Sequence, residues 1–149
     1  EPMNQVRLRT FPKRRCLLLK EKIEHDEDID YLLTKLSGRL EEQLSILGNV
    51  DTGSILEPQA DGTVRCTSVF ICTEDESYDF TLEEGQYLTL TYSGRYDTHD
   101  EHLRILQEAI QKRKLKAVGQ FLEFLLIDIH ETQRYDEYVT QLQVRVVAE

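Results

Sequence analysis

Residues 117–127 read AVGQFLEFLLI, an apolar run that predicts a buried or half-buried strand with one acidic residue, Glu123, inside it. Successive side chains of a strand point to opposite faces, so we expect the Glu123 carboxylate to project beside Phe121, Leu125 and Ile127. An ionised carboxylate in apolar surroundings loses hydration, and it must be neutralised or find a positive charge. Such a site suits a hydrophobic cation. The alternative is a strand edge or bulge that lets Glu123 reach water.

The elements around this run predict the second half of the fold. Residues 86–93 alternate as a strand, and the capping-box spacing of Thr98 and Glu101 opens a helix that continues through Ile110. Basic residues from Lys112 to Lys116 are typical of a helix C-terminus. Strands at 121–128 and 138–147 complete this half.

From residue 15 onward, the first half repeats the same order of elements. Strands are predicted at 6–11 and 15–23, separated at Pro12. An amphipathic helix follows from about Asp26 to a stop at Gly48. Residues 52–56 and 64–73 form a predicted hairpin, and acidic residues 74–85 connect the halves.

This repetition predicts a single α+β domain over residues 1–149. Repeat one covers about 6–73, the connection 74–85, and repeat two about 86–147. Two pseudosymmetric strand-helix-strand-strand units placed side by side would form an antiparallel sheet with two long helices on one side. A ligand cleft is expected where the units join.

Composition excludes several function classes. The net charge of −10 disfavours direct binding of DNA or RNA by this chain. The basic residues between Arg7 and Arg15 are interpreted as one solvated face of a strand. Three cysteines without metal-type spacing indicate a reduced cytoplasm. No apolar run is long enough to span a membrane, and a start without a signal peptide or initiator methionine suggests a fragment.

Three motifs, in order, resemble the gyrase-inhibitor-like effector-binding family, which also supplies the drug-sensing domain of many bacterial regulators of the mercury-resistance (MerR) class. They are Tyr-Ser-Gly-Arg-Tyr at 92–96, residues 117–123, and residues 136–144. The resemblance covers most of the chain. It implies a small-molecule receptor with an acidic residue at the base of a hydrophobic and aromatic pocket, and Glu123 matches that position. Where the family commonly has a second acidic residue, this chain has Gln141.

The candidate ligand-binding residues combine this resemblance with the aromatic content of the chain. An aromatic face attracts a cation, and Tyr92 and Tyr96 flank Gly94 at a strand end, while Tyr138 begins the last strand. The predicted set comprises Phe121, Glu123, Leu125, Tyr92, Tyr96, Tyr138 and Gln141. No catalytic residue, metal or cofactor is expected, because His99 and His102 lack further ligands and no catalytic or nucleotide-binding motif occurs.

These observations predict a cytoplasmic sensing domain of a bacterial transcription regulator. Its partner would be a hydrophobic, often cationic small molecule, and DNA would be bound only through an N-terminal domain outside this chain. We expect no membrane association, a monomeric fragment and a homodimeric full-length regulator. The rival hypothesis is a hydrolase of electrophilic small molecules that uses Glu123 with Tyr96. A third is an inhibitor or binding module that acts on a protein partner.

Overall fold

The computed structural model of this chain describes residues 3–19, 51–74, 76–94, 99–127 and 139–149. Within these ranges it contains nine strands and one helix. In chain order they are β1 (Val6–Phe11), β2 (Arg14–Leu19), β3 (Thr52–Pro58), β4 (Val64–Thr73), β5 (Phe80–Leu82), β6 (Gly85–Ser93), α1 (His99–Lys112), β7 (Leu115–Ala117), β8 (Phe121–Ile127) and β9 (Val139–Ala148).

The strands form one antiparallel sheet in the order β1-β6-β9-β8-β3-β4-β2-β5, and β7 pairs with the far end of β9. Strands β8 and β3 lie in the middle of this order. Since each belongs to a different half of the chain, the β3–β8 pairing is the join between the halves.

The sheet curls into a half-barrel. The guanidinium of Arg14 on β2 lies 4.5 Å from the ring centre of Phe11 on β1 and 5.0 Å from that of Tyr87 on β6. Strands β1 and β6 stand at one end of the strand order and β2 near the other, so only a curled sheet brings them together. The concave face carries an aromatic core of Cys16, Ile55, Phe70, Leu82, Tyr87, Leu122 and Phe124.

Helix α1 covers part of the opposite face. Leu103 and Leu106 are completely buried there against sheet residues such as Leu90 and Leu142. Burying a leucine side chain contributes about 1.5–3 kcal/mol, so these contacts fix the helix on the sheet. The site described below lies on this helix-covered face.

The structure confirms the predicted second helix but corrects its end. Helix α1 stops at Lys112, and Lys114 takes a positive φ of 56° that turns the chain into β7. Lys116 therefore lies in a strand and not in the last helical turn. The connection predicted at 74–85 also contains β5, which pairs with β2. Both short strands form through pairing with distant strands, which a local pattern does not record.

The α+β class with an antiparallel sheet is confirmed, whereas the repeat stays a prediction. Three strands of each half pair in the same way: β2 pairs with β4 and β4 with β3, while β6 pairs with β9 and β9 with β8, and β3 and β8 meet. The helix predicted from Asp26 to Gly48 lies outside the described residues, so the second long helix and the pseudo-twofold axis are not established.

Candidate functional site

Glu123 is completely buried, with 0 % of its surface exposed. It lies on β8 between two neighbouring strands, opposite Ser54 of β3 and Leu142 of β9. The register shift in β8 falls later, between Leu125 and Ile127. Glu123 therefore reaches water neither from a strand edge nor from a bulge, and its carboxylate stands at the join between the two halves of the sheet.

The phenol of Tyr92 reaches this carboxylate. Tyr92 lies on β6, is also 0 % exposed, and its hydroxyl donates a hydrogen bond to Oε2 of Glu123 at 3.4 Å. That separation is at the long end of the hydrogen-bonding range, so the bond is a weak one. Two strands that are not neighbours are thereby linked across β9 on the helix-covered face.

Helix α1 contributes an aromatic ring to the same place. The imidazole of His102 stacks on the Tyr92 ring with 3.8 Å between ring centres and 6° between ring planes. The half-buried His102 thus covers one face of the Tyr92 ring. His102, Tyr92 and Glu123 therefore contact one another in turn, and these contacts connect α1 with the middle of the sheet.

Two hydroxyl groups flank Glu123. Ser54 lies directly opposite it, and Thr140 lies opposite both Tyr92 and Leu125. Both side chains are completely buried, and neither Ser54 Oγ nor Thr140 Oγ1 has a hydrogen-bond partner within the described part of the chain. Leaving a buried hydroxyl without a partner is costly, so these groups are suited to a bound molecule. Neither hydroxyl stands out in the sequence, because a serine or threonine in a strand becomes notable only when register places it beside a carboxylate.

Gly53 lets the backbone of β8 approach β3 closely. A Cβ atom added at this position would lie 2.5 Å from the carbonyl oxygen of Glu123 and 2.9 Å from the ring of Phe70. Any larger residue would push β3 away from the strand that carries the carboxylate. The glycine therefore helps to position Glu123.

The structure brings together some of the predicted site residues and separates one. Phe121, Glu123, Leu125 and Tyr92 share the helix-covered face. Gln141 lies opposite Phe124 and Thr91, so it occupies the other, concave face. Its Nε2 donates to Thr91 Oγ1 at 3.0 Å, and its Oε1 accepts from Gln143 at 2.6 Å. Gln141 is therefore not beside Glu123. Tyr96 and Tyr138 lie outside the described residues.

Arg14 does not belong to a solvated basic face, as the sequence had suggested for the basic residues between Arg7 and Arg15, but packs against aromatic rings. Its guanidinium packs over Phe11 and Tyr87 and lies 5.3 Å from the ring centre of Phe124. Its Nη1 donates to Gln143 Oε1 at 3.1 Å. The alternation of a strand places Arg14 on the face of Cys16, within the aromatic core, where cation–π contacts replace part of its hydration.

No family model matches this chain. No curated protein matches it either.

Solved structures nevertheless share its fold. EcmrR in a cryo-EM complex with DNA superposes with a TM-score of 0.82 at 11% identity over 99% of this chain, which spans 59% of the EcmrR chain. The crystal structure of the EcmrR C-terminal domain gives 0.75 at 12% identity, covering 99% of this chain and 100% of that one.

Two further structures show the range of proteins with this fold. A hydrolase from Listeria innocua gives a TM-score of 0.63 at 11% identity, covering 99% of this chain and 94% of the hydrolase. SAV2435 bound to tetraphenylphosphonium gives 0.55 at 17% identity, covering 96% and 94% of the two chains. These likenesses confirm, at the level of the fold, the resemblance to effector-binding domains that the sequence motifs indicated. This chain has the fold of the EcmrR C-terminal domain.

Within the described part of the chain, no helix combines the length and apolar character that a membrane crossing requires.

Proposed function

We propose that this chain is the ligand-sensing domain of a bacterial transcription regulator and that it binds a hydrophobic cation against Glu123. The observation that carries the proposal is a completely buried carboxylate on the helix-covered face, among apolar and aromatic side chains. The fold shared with the EcmrR C-terminal domain supports the regulatory role, and the cation bound to SAV2435 supports the ligand class.

The chemistry of the site favours a diffuse positive charge. A lipophilic cation carries little hydration, so it loses little on entering an apolar site and gains the attraction of Glu123 at low dielectric. The ring of Tyr92 adds a cation–π contact of about 0.5–2 kcal/mol. An anion of the same shape is repelled by the same carboxylate, so the charge of Glu123 sets specificity as well as affinity.

Stacking of His102 on Tyr92 supplies a route for the signal. A ligand that takes the face of Tyr92 on which His102 stacks has to displace His102, and His102 belongs to α1. Ligand would then favour an arrangement in which α1 has shifted, which is a population shift between two states. DNA contact is assigned to a domain outside this chain, as the EcmrR–DNA complex suggests. A homodimeric regulator is the proposed assembly.

Calorimetric titration of tetraphenylphosphonium tests the proposal. Glu123→Gln preserves the shape of the side chain and removes its charge, so affinity for the cation should fall by about 2–5 kcal/mol, or roughly thirtyfold or more. Glu108→Gln removes the same charge from the exposed side of α1 and is the matched control.

The neutral compound triphenylphosphine oxide distinguishes charge recognition from a change of pocket shape. Its affinity should be nearly equal for the parent protein and for Glu123→Gln. Equal tetraphenylphosphonium affinities of Glu123→Gln and Glu108→Gln would refute recognition of the cation through Glu123.

A second candidate function is hydrolysis of an electrophilic small molecule. It is favoured by the contact between the Tyr92 hydroxyl and the Glu123 carboxylate, a base with an orienting acid, and by the hydrolase that shares the fold. In this role Tyr92 takes the part that the sequence assigned to Tyr96. Incubation with an activated aryl ester and an epoxide, followed by product analysis, decides between the functions. Turnover that Glu123→Gln abolishes favours the enzyme, whereas binding without turnover favours the sensor.

A further inference from the structure

Two cysteines that are far apart in sequence meet across the sheet. Cys16 of β2 pairs directly with Cys72 of β4, and their sulfur atoms are 3.8 Å apart. The third cysteine, Cys66, lies on the helix-covered face within the other core cluster. All three are thiols in the structure.

The backbone geometry at this pair suits a covalent link. The carbonyl of Cys16 accepts from Asp79 N, and the amide of Cys72 donates to the Asp51 carbonyl, each at 2.8 Å. Both backbones therefore direct their hydrogen bonds away from each other. Non-hydrogen-bonded pairs of an antiparallel sheet have Cα atoms about 4.5 Å apart, within the range that a disulfide bridges.

The two thiols differ in access and in acidity. Cys16 is 0 % exposed, whereas Cys72 is half-buried. The hydrogen bond between the sulfurs lowers the pKa of Cys72 and raises that of Cys16, and the nearby charge of Arg14 favours the thiolate at both. Cys72 is thus suited to react first, with Cys16 behind it as the second thiol.

We propose that Cys16 and Cys72 form a redox-sensitive pair that a hydroperoxide converts into a disulfide. The Cys72 thiolate attacks one peroxide oxygen, the O–O bond breaks, and the leaving oxygen takes a proton to become water or an alcohol. Cys72 is then a sulfenic acid. The Cys16 sulfur attacks the Cys72 sulfur, the S–O bond breaks, and the hydroxyl leaves as water with the Cys16 proton. Two electrons pass from the thiols to the peroxide.

The disulfide would tie β2 to β4 and close a loop over residues 17–71. Closing so long a loop restricts the unfolded chain, so the oxidised protein should melt at a higher temperature, and dithiothreitol should reverse the change. Arg14 lies two residues before Cys16 on β2, so the link also holds the strand that carries this guanidinium over the aromatic core. This inference does not depend on the proposed ligand.

Thiol counting by mass spectrometry tests the pair. The reduced chain is treated with hydrogen peroxide, unfolded in N-ethylmaleimide and weighed intact. Labelling should fall from three thiols to one, with loss of two hydrogen atoms from the chain. Cleavage after Phe70 separates Cys66 from Cys72 and identifies the bridge. Cys66→Ser should still form the disulfide, whereas Cys16→Ala and Cys72→Ala should not.

Several outcomes would overturn the proposal. They are three labelled thiols after peroxide treatment, a disulfide that contains Cys66, a bridge between two chains, or conversion of Cys72 to a sulfinic acid with Cys16 unchanged. Circular dichroism of each variant before oxidation shows whether it is folded. Because Cys72 is half-buried, Cys72→Ala keeps the test decisive if Cys16→Ala does not fold.

Discussion

Replacing Gly53 by alanine tests how the sheet holds Glu123. The added methyl carbon lies 2.5 Å from the carbonyl oxygen of Glu123 and 2.9 Å from a ring carbon of Phe70, well inside ordinary contact distances. Neither neighbour can move freely, because the Glu123 carbonyl belongs to the backbone of a paired strand and the Phe70 ring is fully buried. Overpacking of this kind costs about 1–3 kcal/mol.

A glycine-to-alanine change also stabilises by about 0.4–1 kcal/mol through the unfolded chain when the native backbone allows it. We therefore expect Gly53→Ala to lower the free energy of unfolding by about 1–2 kcal/mol. At this chain length that corresponds to a fall in melting temperature of roughly 3–6 °C. Displacement of the β8 backbone should also weaken tetraphenylphosphonium binding.

Gly62→Ala is the matched control, because it makes the same change at a glycine where the added carbon meets no neighbouring atom. Gly62 has a φ of 88° and no atom within 4 Å of a Cβ, so alanine there meets backbone strain of about 1 kcal/mol but no neighbour. It should leave cation affinity unchanged. Urea denaturation and calorimetric titration of both variants provide the comparison. Gly53→Ala with parental stability and parental affinity would refute the close-approach argument.

Three further substitutions separate the roles of neighbouring groups. Tyr92→Phe should lower the free energy of unfolding, measured in urea, by about 1 kcal/mol, because the Glu123 carboxylate loses a hydrogen-bond donor; an unchanged midpoint would mean that the bond contributes nothing. His102→Ala should strengthen tetraphenylphosphonium binding by about 1 kcal/mol in calorimetry, because the ligand no longer has to break a ring stack; weaker binding would instead make His102 part of the ligand contact. Arg14→Lys should lower the free energy of unfolding by about 1 kcal/mol, because an ammonium group cannot stack on aromatic rings as a guanidinium does. It should leave cation affinity unchanged, because Arg14 and Glu123 lie on opposite faces of the sheet; reduced affinity would contradict this separation of the faces.

Glu123 shows how far a local pattern can lead. A carboxylate within an apolar strand predicted an unusual electrostatic site, and strand periodicity placed Phe121 and Leu125 on its face, where the structure has them. The pattern left open whether Glu123 reached water, because burial depends on the strands at either side. Pairing of β8 with both β3 and β9 supplied that answer.

Gln141 and Ser54 show what a local pattern leaves out. Motif order associated Gln141 with Glu123, yet the pairing of β8 with β9 places Gln141 opposite Phe124 and so on the other face. Ser54 drew no attention in the sequence, and the β3–β8 register places it directly opposite Glu123. Strand side chains alternate with a period of two, so both placements depend on register. A shift of one residue between β8 and β9 would bring Gln141 to the face of Glu123, and a shift of one residue between β3 and β8 would move Ser54 away from it.

Periodicity, capping and turn residues act over a few neighbours, so the sequence was enough to predict the helix and the longer strands of the second half, the antiparallel α+β class and the residue most worth examining, but not β7. The folded structure was needed to find the hydroxyls beside Glu123, the place of Arg14 in an aromatic core and the contact between Cys16 and Cys72. Each of these depends on strand register and on the curl of the sheet, which arise from contacts between residues far apart in the chain.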